Sequence, residues 1–202
     1  MEFEGRNKDN VLAPINVTQN GLRVLQGAGK FSDSVLKNQV FSGCTAITGI
    51  SPGTTLNAVP PITLWNPQQS NKWLSILRIT MGYVSGTLGS GCIMAGWSPF
   101  ANPSGGAEIL VVSNQLGGLP KGMGRLFTGT TNSSICMSLR PVWSVGAFLA
   151  TTAQMPQILT DMCEGEFILM PGSIFTLQGV ATAGTSPLVI FGIEWEELNN
   201  PN

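Results

Sequence analysis

WLSILRITMGYVSGTLGSGCIMAGW, residues 73–97, is the stretch on which the reading of the fold turns. In its first twelve residues Trp73, Ser75, Leu77, Ile79, Met81 and Tyr83 fall on one parity, and Leu74, Ile76, Arg78, Thr80, Gly82 and Val84 on the other. Side chains alternate across a strand, so the first set reads as an apolar face and the second as a mixed one. Such a strand spans about 40 Å, a length that suits a large sandwich. Gly86, Gly89 and Gly91 offer the positive φ of a tight reversal, and residues 92–97 resume the apolar run. The stretch is therefore expected to be one long hairpin.

The rest of the chain has the same texture. Runs at 39–50, 62–65, 108–113, 126–130, 135–139, 142–149, 166–170, 173–180 and 187–198 read as strands, separated by turns rich in Pro, Gly, Ser and Asn. The three prolines at 60, 61 and 67 predict a short edge strand at 62–65. Pro171-Gly172 has the residues of a type II turn. In the last strand Val189, Phe191, Ile193 and Trp195 share a face opposite Leu188, Ile190, Gly192, Glu194 and Glu196. No helix longer than a turn or two is expected, and residues 31–36 are the one candidate. The fold class is all-β, an antiparallel β-sandwich of about nine strands, with a jelly roll as the best single topology. Residues 1–20 are expected to form an extended polar arm, frayed or laid across a neighbour, and 21–202 a single sandwich domain.

Composition limits the chemistry. Charged residues are 10% of the 202, against about 25% in an ordinary soluble chain. Mean hydropathy is +0.21, without an apolar run long enough for a membrane span. Large buried contacts, some of them between subunits, are the expected consequence. There is no histidine, which removes Ser-His and Cys-His nucleophiles and imidazole metal sites. Cys44, Cys92, Cys136 and Cys163 are widely spaced and read as free, mostly buried thiols; disulfides are the alternative if a particle matures outside the cell. The first ten residues lack the pattern of a secretory signal, so a cytoplasmic origin is expected.

All ten Lys and Arg lie in residues 1–150, whereas residues 151–202 hold six acids and no base. That acidic edge is either solvated or met by a basic surface of a neighbouring subunit. The scattered bases form no run, so no nucleic-acid partner is expected, and no membrane partner. GAGK at 27–30 lacks the spacing and following Ser or Thr of a phosphate loop. Glu164 with Glu166, and Glu194 with Glu196, could act as paired carboxylates, and with Asp161 could hold calcium; acids two apart near strand ends are more often simply solvated. Trp65, Trp97, Trp143 and Tyr83 could stack on sugar, although core packing explains them as well. Asn16 and Asn132 begin sequons that matter only on a secretory route.

Residues 64–93, LWNPQQSNKWLSILRITMGYVSGTLGSGCI, resemble a segment of tailed-bacteriophage virion proteins, in which a WNP turn precedes a long strand ending in GYVSGTLG. FGIEWEEL at 191–198 is similar to the last strand of such proteins. The resemblance implies a β-rich virion component, either a capsid decoration (cement) subunit or a fibre or tail part, and carries over no functional residue. The expected protein is thus a non-enzymatic subunit without cofactor or metal, acting in the virion and assembled in the host cytoplasm. Its expected partners are its own copies, as a homotrimer, and the major capsid or other virion proteins. Leu74, Ile76, Arg78, Glu194, Glu196 and Glu197 are the residues expected at the subunit interface.

Overall fold

The computed structural model describes residues 4–6, 12–14, 29–99, 102–115, 122–132, 136, 138–145 and 158–199. The chain divides into two units, Met1–Ser32 and Asp33–Asn202, a boundary later than the expected end of the arm. In the first unit β1 (Glu4–Arg6) pairs antiparallel with β2 (Leu12–Pro14), Gly5 opposite Ala13. The stretch expected as an extended arm therefore contains a short ladder. The ends of the strands expected at 135–139 and 142–149 lie outside the described residues.

The second unit is nearly all strand. A single helical turn, α1 (Ser32–Leu36), leads into it. The strands that follow are β3 (Val40–Cys44), β4 (Ile62–Trp65), β5 (Lys72–Ser85), β6 (Gly91–Ser98), β7 (Ala107–Ile109), β8 (Val112–Ser113) and β9 (Arg125–Thr128). They continue with β10 (Ser138–Val145), β11 (Ile158–Asp161), β12 (Phe167–Leu169), β13 (Ile174–Val180) and β14 (Leu188–Asn199). One antiparallel sheet runs β10-β6-β13-β4-β9-β7, the other β11-β5-β14-β3-β8, with β12 also on β5. Ile62, Leu64, Ile93, Phe175 and Leu177 from the first sheet and Ile79, Met81, Phe191 and Trp195 from the second share one buried cluster. The fold is an all-β sandwich.

The long stretch 73–97 is not a hairpin. β5 and β6 lie in different sheets, and the loop between them carries the chain across the sandwich. Only Gly86 of its glycines has positive φ, at 86°. Gly89 serves close approach instead: a Cβ there would sit 1.9 Å from the Ala183 carbonyl oxygen in the β13–β14 loop. Leu88, the one large apolar residue of the loop, is fully buried and joins the core.

The alternation along β5 also breaks. Glu194 lies opposite Arg78 and Trp195 opposite Ile76, so Leu77 is an extra residue, a β-bulge. Across the other edge, the Glu164 N–H donates to the Leu77 carbonyl at 3.0 Å and the Gly165 N–H to that of Ile76 at 2.9 Å. The turn between β11 and β12 thus occupies the kink. Ile79 and Met81 point inward after the bulge, Leu74 and Ile76 before it, and all four are buried.

Smaller differences have local causes. β4 is interior, between β13 and β9, because its three prolines all lie just outside it. Pro141 sits within β10, an edge strand, beside a break in its register with β6, a setting in which a strand proline is tolerated. Residues 108–113 form two short strands on different sheets. β11 was not expected at all. The turn at Pro171-Gly172 is as read: Gly172 has φ 84° and the Ser173 N–H donates to the Met170 carbonyl.

Candidate functional site

The six residues expected at an interface separate into three groups. Leu74 and Ile76 are fully buried in the protomer's own core, so they face neither solvent nor a neighbour; the bulge at Leu77 put them on the inner face. Arg78 and Glu194 lie directly opposite each other on β5 and β14, joined at 2.6 Å. Glu194 also accepts from the Asn114 side-chain N–H at 2.6 Å, and Asn114 in turn accepts from the Ser42 hydroxyl at 2.8 Å. Glu196 is half-buried on the same outer face, opposite Ser75.

Glu197 points the other way. It is 4% exposed and accepts the Gly124 backbone N–H at 2.8 Å and the Trp195 indole N–H at 3.4 Å. A Cβ at Gly124 would come within 2.8 Å of that indole nitrogen. The carboxylate is an anchor for the segment leading into β9, not a contact for another subunit.

The other acids are likewise engaged within the chain. Arg140 of β10 reaches Asp161 at 2.7 Å and Glu166 at 2.6 Å, and its guanidinium stacks on the Phe167 ring at 4.5 Å from the centroid. Cation–π contact and bidentate ion pairing favour arginine in such a position. Three of the six acids of residues 151–202 are thus ion-paired with two bases of the same chain. Arg140 is the last base in the sequence, a signal that it would be claimed by the acids after it. No group of three or more metal-ligating side chains occurs among the described residues.

The aromatic residues form no single platform. Trp65 packs on Phe127 and Trp97 meets Phe167 edge to face, with centroids 6.5 and 5.0 Å apart. Trp143 packs on the core, and the Tyr83 hydroxyl donates to the Gly86 carbonyl. Asn66 of the WNP turn is fully buried, its side-chain N–H group donating to the carbonyls of Lys72 and Leu169 at 2.7 and 2.9 Å. That explains the motif structurally, as the tie between the β4–β5 and β12–β13 turns. Asn132 is buried too, which takes its side chain away from glycosylation; Asn16 lies outside the described residues.

All four cysteines are free. Cys136 and Cys163 are buried, Cys92 half-buried and Cys44 exposed. Burial pushes the Cys163 thiol up to about 11, and the nearby Asp161 carboxylate adds to the shift. Burial also raises Cys136, against the hydrogen bond with Thr176. Neither is a reactive thiolate near neutral pH.

Two of the depressions among the described residues adjoin these groups. One of about 480 Å³ is lined by Trp97, Ser98, Pro99, Arg140, Ser173 and residues 166–170. The other, of about 640 Å³, lies over the Arg78–Glu194 pair, Cys44, Thr80 and Gly192 on the second sheet, with Leu110 and Val112 alongside. A comparison of the chain with protein-family models, with curated proteins and with solved structures finds no match.

Proposed function

We propose that this protein is a non-enzymatic structural subunit of a virus particle, a capsid decoration protein of the tailed-phage kind that assembles as a homotrimer on the major capsid protein. The observation that carries this reading is the apolar surface. Ile47, Ile158 and Leu110 are 83, 75 and 71% exposed, in a chain with only 10% charged residues to keep it apart from others. Single exposed apolar residues are ordinary, but this many on so uncharged a surface favour burial between subunits. The polar Arg78–Glu194–Asn114–Ser42 row would then lie within or beside a contact and fix its register.

The strand pairing supports the jelly-roll reading. β3 pairs with β14, β4 with β13, β5 with β11 and β12, and β6 with β10, four antiparallel pairs nested one inside the next. That is the order produced when one long antiparallel ribbon rolls into two sheets, with β7, β8 and β9 as an insertion. Jelly rolls serve many functions, so the topology alone does not choose among them.

Sedimentation analysis and native mass measurement test the assembly: a trimer is expected, and a monomer at all concentrations overturns it. Particles prepared without the protein should lose resistance to heat and osmotic shock. A copy number of hundreds per particle fits decoration, and a few dozen fits a fibre or tail part that recognises host carbohydrate. The second reading has its own observation, since Trp97, Ser98 and Pro99 line the smaller depression where the loop 98–106 begins. A glycan array followed by adsorption assays tests it.

A further inference from the structure

Among the described residues, both sheets end on one side of the sandwich in strands that carry a single ladder partner. Among the described residues β10 pairs only with β6, and β12 only with β5. The cleft of about 480 Å³ lies where these edges meet, bridged by Arg140. Its size falls within the range of binding pockets. Five consecutive residues, Glu166 to Met170, form one wall of it, which is the free edge of β12 and its flanks. Trp97 and Phe167 supply aromatic lining, and the half-exposed Ile168 and Met170 supply apolar rim.

A free strand edge beside an aromatic-lined cleft matches one ligand chemistry best. An extended peptide can complete the backbone ladder while its alternate side chains enter the cleft. A sugar could use the aromatic lining but would leave the strand edge unpaired. Charge narrows the peptide further. Two carboxylates, Asp161 and Glu166, face one guanidinium, Arg140, which leaves one negative charge at the mouth and favours a basic residue in the ligand.

We propose that this cleft binds an extended peptide segment that adds to the edge of β12, seats an apolar side chain against Trp97 and Phe167, and sets a Lys or Arg beside Glu166. The inference rests on the cleft and not on a role in the virion, so either can fail without the other.

The test uses the full chain, isotope-labelled, titrated with the peptide acetyl-Lys-Val-Phe-Val-Lys-amide and followed by amide resonances. Saturable shifts are expected at residues 166–170 and at the Trp97 indole. Methylating the backbone nitrogens of the peptide, or replacing its lysines by glutamates, should weaken binding at least about tenfold. Glu166→Gln should weaken the lysine peptide several-fold while sparing a neutral analogue, and Met170→Asp, exposed enough to leave the fold intact, should weaken both. The proposal is overturned if no saturable shifts occur at these amides, or if the N-methylated peptide binds as well as its parent. It is also overturned if maltoheptaose shifts the same amides and the peptide does not, an outcome that would assign the cleft to carbohydrate.

Discussion

Arg140 on β10 and Asp161 on β11 are 2.7 Å apart, so one guanidinium ties the edge of the first sheet to the edge of the second. The same group holds Glu166 and stacks on Phe167. Arg140→Ala should lower stability by about 1–2 kcal/mol, more than an exposed ion pair is worth, because it also removes a partly shielded stack. Arg140→Lys should recover less than half, having a point charge in place of the planar fork. Urea unfolding of the three proteins measures both. Arg78→Ala, which removes a guanidinium more exposed than that of Arg140 and without its aromatic stack, should cost under about 1 kcal/mol in the same assay.

Asn66 joins two turns through its side-chain N–H group, and both acceptors are backbone carbonyls. Asn66→Ala leaves the Leu169 carbonyl buried without this donor, at a cost of about 2–3 kcal/mol. Asn66→Asp, which has no N–H to give, should be at least as damaging. Thermal unfolding followed by tryptophan fluorescence separates these from a surface control such as Thr160→Ala.

Glu197 accepts the Gly124 N–H from inside the protein. Glu197→Gln retains an acceptor and should cost under about 1 kcal/mol, whereas Glu197→Ala should cost about 2 kcal/mol by leaving that N–H unpaired. Amide exchange at Gly124 is the direct readout: it should accelerate in the alanine variant and barely change in the glutamine variant.

Gly89 has no room for a Cβ, which would lie 1.9 Å from the Ala183 carbonyl oxygen. Since the obstacle is backbone, Gly89→Ala must separate two loops and should cost about 3 kcal/mol or more. Gly105→Ala is the comparison. Nothing lies within 4 Å of its added Cβ, so any penalty there comes from its positive φ of 66° alone.

Cys163 has its pKa raised from 9.0 to about 11 by burial. A raised thiol pKa means that the fold prefers the protonated form, so this contribution is fully present below pH 9 and is lost as pH rises through 11. Stability of the parent should therefore fall more steeply than that of Cys163→Ala between pH 9 and 11. Parallel slopes for the two proteins would refute the assignment.

Much of the architecture was legible because strands of this kind announce their faces. β14 alternates as read, with Val189, Phe191, Ile193 and Trp195 inside, and its length was nearly right. β5 was legible in extent but not in facing, since an extra residue at Leu77 inverts the parity halfway along. Nothing local in LSILRI marks the bulge. It is created by the partners, with β14 skipping Leu77 on one edge and the β11–β12 turn taking its carbonyl on the other. The interface expectation failed at Leu74 and Ile76 for that reason alone, and at Glu197 because an inward carboxylate needs a donor from a segment more than seventy residues away.

What the sequence by itself determined is the class: period-two apolar runs between glycine- and proline-rich turns, too little charge for an ordinary surface, widely spaced cysteines and no histidine. These are properties of each residue and its near neighbours. Only the tertiary structure decided that the glycine-rich loop after Ser85 crosses between sheets, that Arg140 gathers Asp161 and Glu166, and that the edge of β12 borders a cleft. Each depends on which distant strand lies alongside, and hydrogen-bonded strands are chosen by the packing of the whole core, a long-range choice that local periodicity does not encode.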